Sequence, residues 1–157
     1  MSNVTLDCLF FSDSGPFGET SIENPKGSVF WCDLEDQKIE PLTLNNLAYP
    51  TGIALNNEEN VLFVCETCKN RVIRFVGTPD GDFFQSPMST FYQFNGRFGP
   101  IDVAVSSENF VCVARYEFPG LSKNGLISIL KDDRDKMFIE NVKIPNYPSI
   151  TGICFSK

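Results

Sequence analysis

The chain contains no histidine. Ser-His-Asp and Cys-His nucleophiles, His-ligated zinc and a His general base are therefore all excluded. Chemistry must fall to carboxylates, Lys, Tyr or a cation held by oxygen. Two sets of residues stand at recurring positions where such chemistry could gather. Asp13, Glu66 and Arg115 each end a short apolar run, and Tyr116 follows the last of them. They would line a polar pocket, or cap and pair within their own turns. Thr51, Asp102 and Thr151 open or closely follow the start of three further runs. Cys65-Glu66-Thr67-Cys68 has the spacing of a metal or redox pair. No second pair, histidine or following helix accompanies it, so it reads as one strand cysteine and one hairpin cysteine.

The elements that must position these residues repeat. Tyr49-Pro50-Thr51-Gly52-Ile53-Ala54-Leu55 returns as Pro100-Ile101-Asp102-Val103-Ala104-Val105 and again as Ser149-Ile150-Thr151-Gly152-Ile153-Cys154-Phe155. Thr51, Ile101 and Thr151 are spaced by fifty residues. Each of the first two copies leads into a polar turn (56–60, 106–109), an apolar run (61–65, 110–114), a loop and a further run (71–75, 125–130). Short strands at a fixed period of this length are the mark of β-propeller blades. The run 8–13 aligns with the second strand of the later copies, so the first blade begins in mid-repeat. With strands lettered outward from the axis, the order is b-c-d, a-b-c-d, a-b-c-d, a.

The expected fold is all-β, a half-propeller of three four-stranded blades in one domain over 1–157. Blade 1 covers about 4–45, blade 2 about 49–95 and blade 3 about 99–143, with outer strands at 39–44, 89–94 and 137–142. A spare inner strand covers 149–156. Three blades do not close a ring on themselves. The spare strand is therefore expected to enter the first blade of a second copy, giving a homodimer.

Composition narrows the partners. A hydrophobic content of 42% suffices for a substantial core, and a net charge of −7 argues against nucleic acid and anionic membranes. No apolar run approaches a membrane span. The N-terminus does not read as a signal peptide, which leaves the Asn3-Val4-Thr5 sequon as chance. Six cysteines on or beside strands suit reduced thiols, and the expected location is the cytoplasm. Loops 14–26 and 116–124 should project on the face where the inner strands start. With Phe17, Tyr49, Arg97, Phe98, Tyr116 and Tyr147 nearby, that face would bind a small ligand or peptide, or simply pack loop on loop. Asp80 and Asp82 belong to a structural turn on the opposite face.

By Phe10-Phe11-Ser12-Asp13-Ser14-Gly15, Tyr49-Pro50-Thr51-Gly52-Ile53-Ala54-Leu55 and Glu66-Thr67-Cys68-Lys69-Asn70-Arg71-Val72-Ile73-Arg74-Phe75, the chain resembles the strictosidine synthase-like proteins. It also resembles the wider gluconolactonase (senescence marker protein) and paraoxonase group. The resemblance implies a six-bladed propeller, of which this chain covers about half. It also implies a calcium-like cation in the central tunnel, held by Asn and Asp at the starts of inner strands. Here Pro50-Thr51-Gly52 stands where the group has Pro-Asn-Gly, and Pro100-Ile101-Asp102 where it has Pro-Asp-Asn or Pro-Asp-Gly. Ser149-Ile150-Thr151-Gly152 lacks the acid/base glutamate of strictosidine synthases. The expectation is a ligand- or protein-binding module with a degraded catalytic site and no tightly held cofactor or metal. The alternative is a lactonase- or esterase-type hydrolase in which Asp102 anchors a cation, calcium in the first instance.

Overall fold

The computed structural model describes residues 8–156 apart from 80, 81, 84, 85, 118, 119, 134 and 135. The expected start of blade 1 near residue 4, the Asn3 sequon and Asp80 lie outside these residues. Among the described residues no helix is long and apolar enough to cross a membrane.

Three antiparallel sheets follow one another along the chain, each a meander. The first is β1 (Cys8–Asp13), β2 (Gly27–Asp33) and β3 (Lys38–Leu47). Then come β4 (Pro50–Leu55), β5 (Val61–Glu66), β6 (Arg71–Val76) and β7 (Met88–Gln93). The third is β8 (Phe98–Val105), β9 (Val111–Glu117), β10 (Asn124–Asp133) and β11 (Lys136–Pro145). The 3-4-4 order agrees with the lettered reading except for its final inner strand, and among the described residues the first sheet has no inner strand.

The middle sheet is buried on both faces, which its sequence requires. In β5 the period of two sends Leu62 and Val64 one way and Phe63 and Cys65 the other. The first pair joins Val29, Leu47, Ile73, Phe75 and Phe83 in a core beside sheet 1. The second joins Val72, Phe94, Val103, Val111, Val113 and Leu130 in a core beside sheet 3. Burying each such side chain contributes roughly 1.5–3 kcal/mol, so the two cores hold the three sheets together.

Turn chemistry fixes the end opposite the inner-strand starts. Asn56 Oδ1 accepts from the Asn60 and Val61 amides at 2.9 and 2.8 Å, and Glu59 and Asn109 take left-handed φ of 55° and 60°. The two repeat-equivalent turns then bind each other, with Asn57 Nδ2 donating to Ser106 O and to Asn109 Oδ1, each at 2.9 Å. Within the 77–82 turn, the Asp82 amide donates to Thr78 Oγ1 at 3.1 Å.

Two differences from the sequence reading are physical. Two of the three outer strands run longer than their apolar segments, to Leu47 in β3 and Pro145 in β11, because ladder hydrogen bonds ignore side-chain polarity. The expected strand at 149–156 does not form. No second strand lies alongside it to complete a ladder, and the segment lies instead against sheet 3.

Candidate functional site at the inner-strand face

The inner strands converge on Asp102. β4 and β8 approach so closely that a Cβ at Gly52 would lie 2.3 Å from Asp102 Cα and 2.8 Å from Val103 N. Asp102 Oδ2 accepts a hydrogen bond from the Ile153 amide at 2.8 Å. Gly52, Asp102 and Gly152 hold the same place in the fifty-residue repeat, so the carboxylate occupies a position that is glycine in the other two copies. It is the only acidic side chain on β4, β8 or the 149–156 segment.

A belt of hydroxyls runs beside it across all three sheets. Ser12 Oγ donates to Thr51 O, and Ser14 Oγ to Pro50 O, each at 2.6 Å. Thr67 Oγ1 donates to Pro100 O at 2.8 Å and lies 2.9 Å from Thr51 Oγ1. A hydroxyl carries one proton. Thr67 gives its proton to Pro100, so Thr51 is the donor to Thr67. The proton of Thr51 is thereby engaged within the protein.

The charged candidates are engaged as well. Glu66 is fully buried. Its Oε1 accepts from Ala48 N at 2.8 Å and pairs with Lys69 at 3.0 Å, and its Oε2 pairs with Arg71 at 2.5 Å. Together with the Thr67 amide donating to Tyr49 O at 3.1 Å, these bonds clamp the 66–70 hairpin to the turn before β4, where Tyr49 is left-handed at φ 59°. Arg115 donates to Phe98 O at 2.6 Å and to Asn95 O at 3.3 Å, and lies 4.1 Å from the Phe94 ring centroid. Burial pushes its pKa down to about 10, partly offset by Tyr92. Asp13 Oδ1 caps its own turn at Gly15 N, 2.9 Å away. Tyr116 pairs with Gly99 in the β8–β9 register, and Thr151 is exposed. The structure therefore places Asp102 between β4 and the 149–156 segment, with Thr51 in the adjacent hydroxyl belt, and holds Glu66, Arg115 and Asp13 in separate structural contacts.

A cleft of about 560 Å³ opens on this face. Its walls are residues 20–23 of the long loop, the hairpin residues Thr67, Cys68 and Asn70, and Gly96, Arg97 and Gly99. The 14–26 loop thus lies on the face expected for it, whereas Phe17 is almost wholly exposed. Two of the cleft residues carry buried oxygens without a protein partner, Thr20 Oγ1 and Asn70 Oδ1. Arg97 stands at the rim, ion-paired with buried Glu117. Thr67 was missed by sequence reasoning, yet it alone both lines the cleft and joins the hydroxyl belt. Its position beside Glu66 in the recurring hairpin was the available signal.

Two cysteines flank Glu66. Burial raises the Cys65 thiol well above its usual range, with Asp102 a second cause. Cys68 is raised by burial and by Glu66. Neither is poised as a thiolate nucleophile or soft-metal ligand.

A calcium ion takes six to eight oxygens with carboxylates among them. Along these inner strands Asp102 is the sole carboxylate, and one of its oxygens holds Ile153. Among the described residues no group of three or more His, Cys, Asp or Glu side chains is assembled. Among the described residues, the inner strands thus contribute a single carboxylate, Asp102, to any cation held there.

The meandering sheets around a shared inner edge define a propeller-type fold. The chain aligns with regucalcin, a calcium-binding protein from Agrobacterium tumefaciens strain C58, at a TM-score of 0.71 and 17% identity, over 94% of this chain and 45% of that one. It aligns with luciferin-regenerating enzyme at a TM-score of 0.70 and 19% identity, over 98% of this chain and 48% of that one. Residues 9–157 match the SMP-30/Gluconolactonase/LRE-like region, and the chain belongs to that family. It is 31% identical over 116 residues to lactonase drp35 of Staphylococcus haemolyticus (strain JCSC1435), covering 71% of this chain and 35% of that protein. With lactonase drp35 of Staphylococcus aureus (strain USA300) the identity is 32% over 116 residues, 71% of this chain and 36% of that protein. The chain thus spans about 35% of the length of these relatives. Of the group named from sequence, these matches give the gluconolactonase branch.

Proposed function

We propose that the chain forms part of the tunnel of a lactone- or ester-hydrolysing propeller, with Asp102, at the convergence of the inner strands, serving as acid/base. The observation that carries this reading is the lone carboxylate at the convergence of the inner strands, in a chain related to lactonases. The relatives favour a lactonase-type hydrolase over the binding-module expectation, with Asp102 here an acid/base in place of the cation anchor expected from sequence.

Hydrolysis of a lactone adds water to the carbonyl carbon and breaks the ring C–O bond, yielding a hydroxy acid. Asp102 takes a proton from the attacking water and returns it to the departing alkoxide. The Ile153 amide on Oδ2 holds the carboxylate in place and leaves Oδ1 to exchange the proton. Thr67 links cleft to carboxylate, since its hydroxyl holds Pro100 O two residues before Asp102. Cysteines placed on or beside strands rather than in a loop framework support a reducing compartment such as the cytoplasm.

The test is acid release from simple γ- and δ-lactones at constant pH, comparing the wild type with Asp102→Asn. Asparagine still accepts the Ile153 amide, so the melting temperature should hold. The rate should fall by about 10²–10⁴-fold, the span of general acid–base catalysis. An unchanged rate would remove Asp102 from the chemistry. Rates at background in both proteins, with a lactone nevertheless raising the melting temperature, would favour the binding-module reading. That reading draws on the internal engagement of Glu66, Arg115 and Thr51.

A further inference from the structure

The two inner strands share an irregularity, and the carboxylate sits beside it. In β8, Pro100 opposes Arg115 and Asp102 opposes the next residue, Ala114, so Ile101 is an extra residue. In β4, Pro50 opposes Glu66 and Ile53 opposes Val64, which leaves one extra residue at the same place in the repeat. Such bulges disrupt the ladder locally, bend the strand and re-aim a side chain.

The preceding sheet supplies donors at both bulges. Ser14 follows β1 and Thr67 follows β5, at equivalent places in the repeat. Ser14 Oγ donates to Pro50 O at 2.6 Å, and Thr67 Oγ1 donates to Pro100 O at 2.8 Å. The same bond is thus made twice, each time onto the residue where the bulge begins. β4 has a second pin, from Ser12 Oγ to Thr51 O at 2.6 Å. The equivalent of Ser12 in sheet 2 is Cys65, which leaves Thr67 as the hydroxyl that reaches the bulge of β8. Thr51 Oγ1, 2.9 Å behind it, donates to the Thr67 oxygen and so keeps the Thr67 proton on Pro100. Just past the bulge, Asp102 fits between two glycines. A Cβ on Gly52 would lie 2.2 Å from Oδ1, and one on Gly152 would lie 3.7 Å from Oδ2. A carboxylate packed this closely takes its place from the strand that carries it.

We propose that Thr67 is the positioning residue of Asp102. Through Pro100 O it sets the β8 bulge, and hence where the carboxylate stands between Gly52 and Ile153. Ser14 makes the equivalent bond to a strand that carries glycine in place of the carboxylate, and that strand keeps its Ser12 pin. The effect of Thr67 on rate rests on the acid/base reading of Asp102 above, whereas its effect on geometry does not.

The test compares Thr67→Val and Thr67→Ser with Ser14→Ala. In NMR spectra the Ile153 amide proton reads the place of Asp102 Oδ2, to which it donates at 2.8 Å. In Thr67→Val it should move upfield and exchange faster with deuterium, and in the other two variants it should stay in place. On lactones, Thr67→Val should lower kcat by about 10²-fold, the loss a misplacement of about 1 Å brings. KM should hold, and Thr67→Ser should restore the rate. An Ile153 amide unmoved in Thr67→Val, or moved equally in Ser14→Ala, would overturn the proposal. So would an unchanged kcat in an active protein, whether or not KM rises. A moved amide in a protein without lactone hydrolysis would uphold the positioning and remove the acid/base reading. Where Thr67→Val does not fold, Thr67→Cys, a weaker donor, should show the same shift in smaller measure, and no shift there would overturn the proposal.

Discussion

At Glu66 one buried carboxylate is shared by a backbone amide, Lys69 and Arg71. Glu66→Gln leaves both cations facing a neutral amide and should cost about 3 kcal/mol, as breaking buried pairs does. Urea unfolding would read this as a lower midpoint at unchanged slope. The thiols give a pH-dependent signature. The Cys68 pKa is raised by burial and by Glu66, so less thiolate is present at a given pH than in the unfolded chain. Its alkylation should be slower than in denaturant at pH 8, and the gap should narrow as pH climbs through the raised pKa. Cys65 should react only on unfolding. Arg115 runs the other way. With its folded pKa lowered to about 10, it opposes folding while charged in both states, and that opposition fades as pH rises above about 10. Cys65 and Cys68 were legible as ordinary strand and hairpin residues from their neighbours alone. Thr67 was not, because its partner Pro100 lies 33 positions away, a contact that local pattern cannot express.

Among the elements, the crossing of β4 and β8 is the tightest. Gly52 sits there because any side chain would strike the backbone of Asp102 and Val103. Gly52→Ala should force the strands apart and cost roughly 1–3 kcal/mol, in the range of overpacked cores, seen as a lower melting temperature. The strands of sheet 2 were readable because both faces are buried and alternation sends successive residues into different cores. The outer strands were under-read, since β3 continues through Asn45 and Asn46, where no apolar pattern marks the ladder. The last repeat copy was read as a strand from its sequence. A strand exists only with a partner, and within one chain residues 149–156 have none.

For the whole molecule, the fifty-residue repeat made the three meanders and the missing inner strand legible before any coordinates. The docking of the final segment was hidden, because it depends on Asp102 and Gly125, which belong to other elements. The inner strands offer one carboxylate, Asp102, on which the proposed hydrolysis turns. Acid release from γ- and δ-lactones, wild type against Asp102→Asn, measures this most directly. A rate that falls by about 10²–10⁴-fold is the predicted result, and an unchanged rate would contradict it.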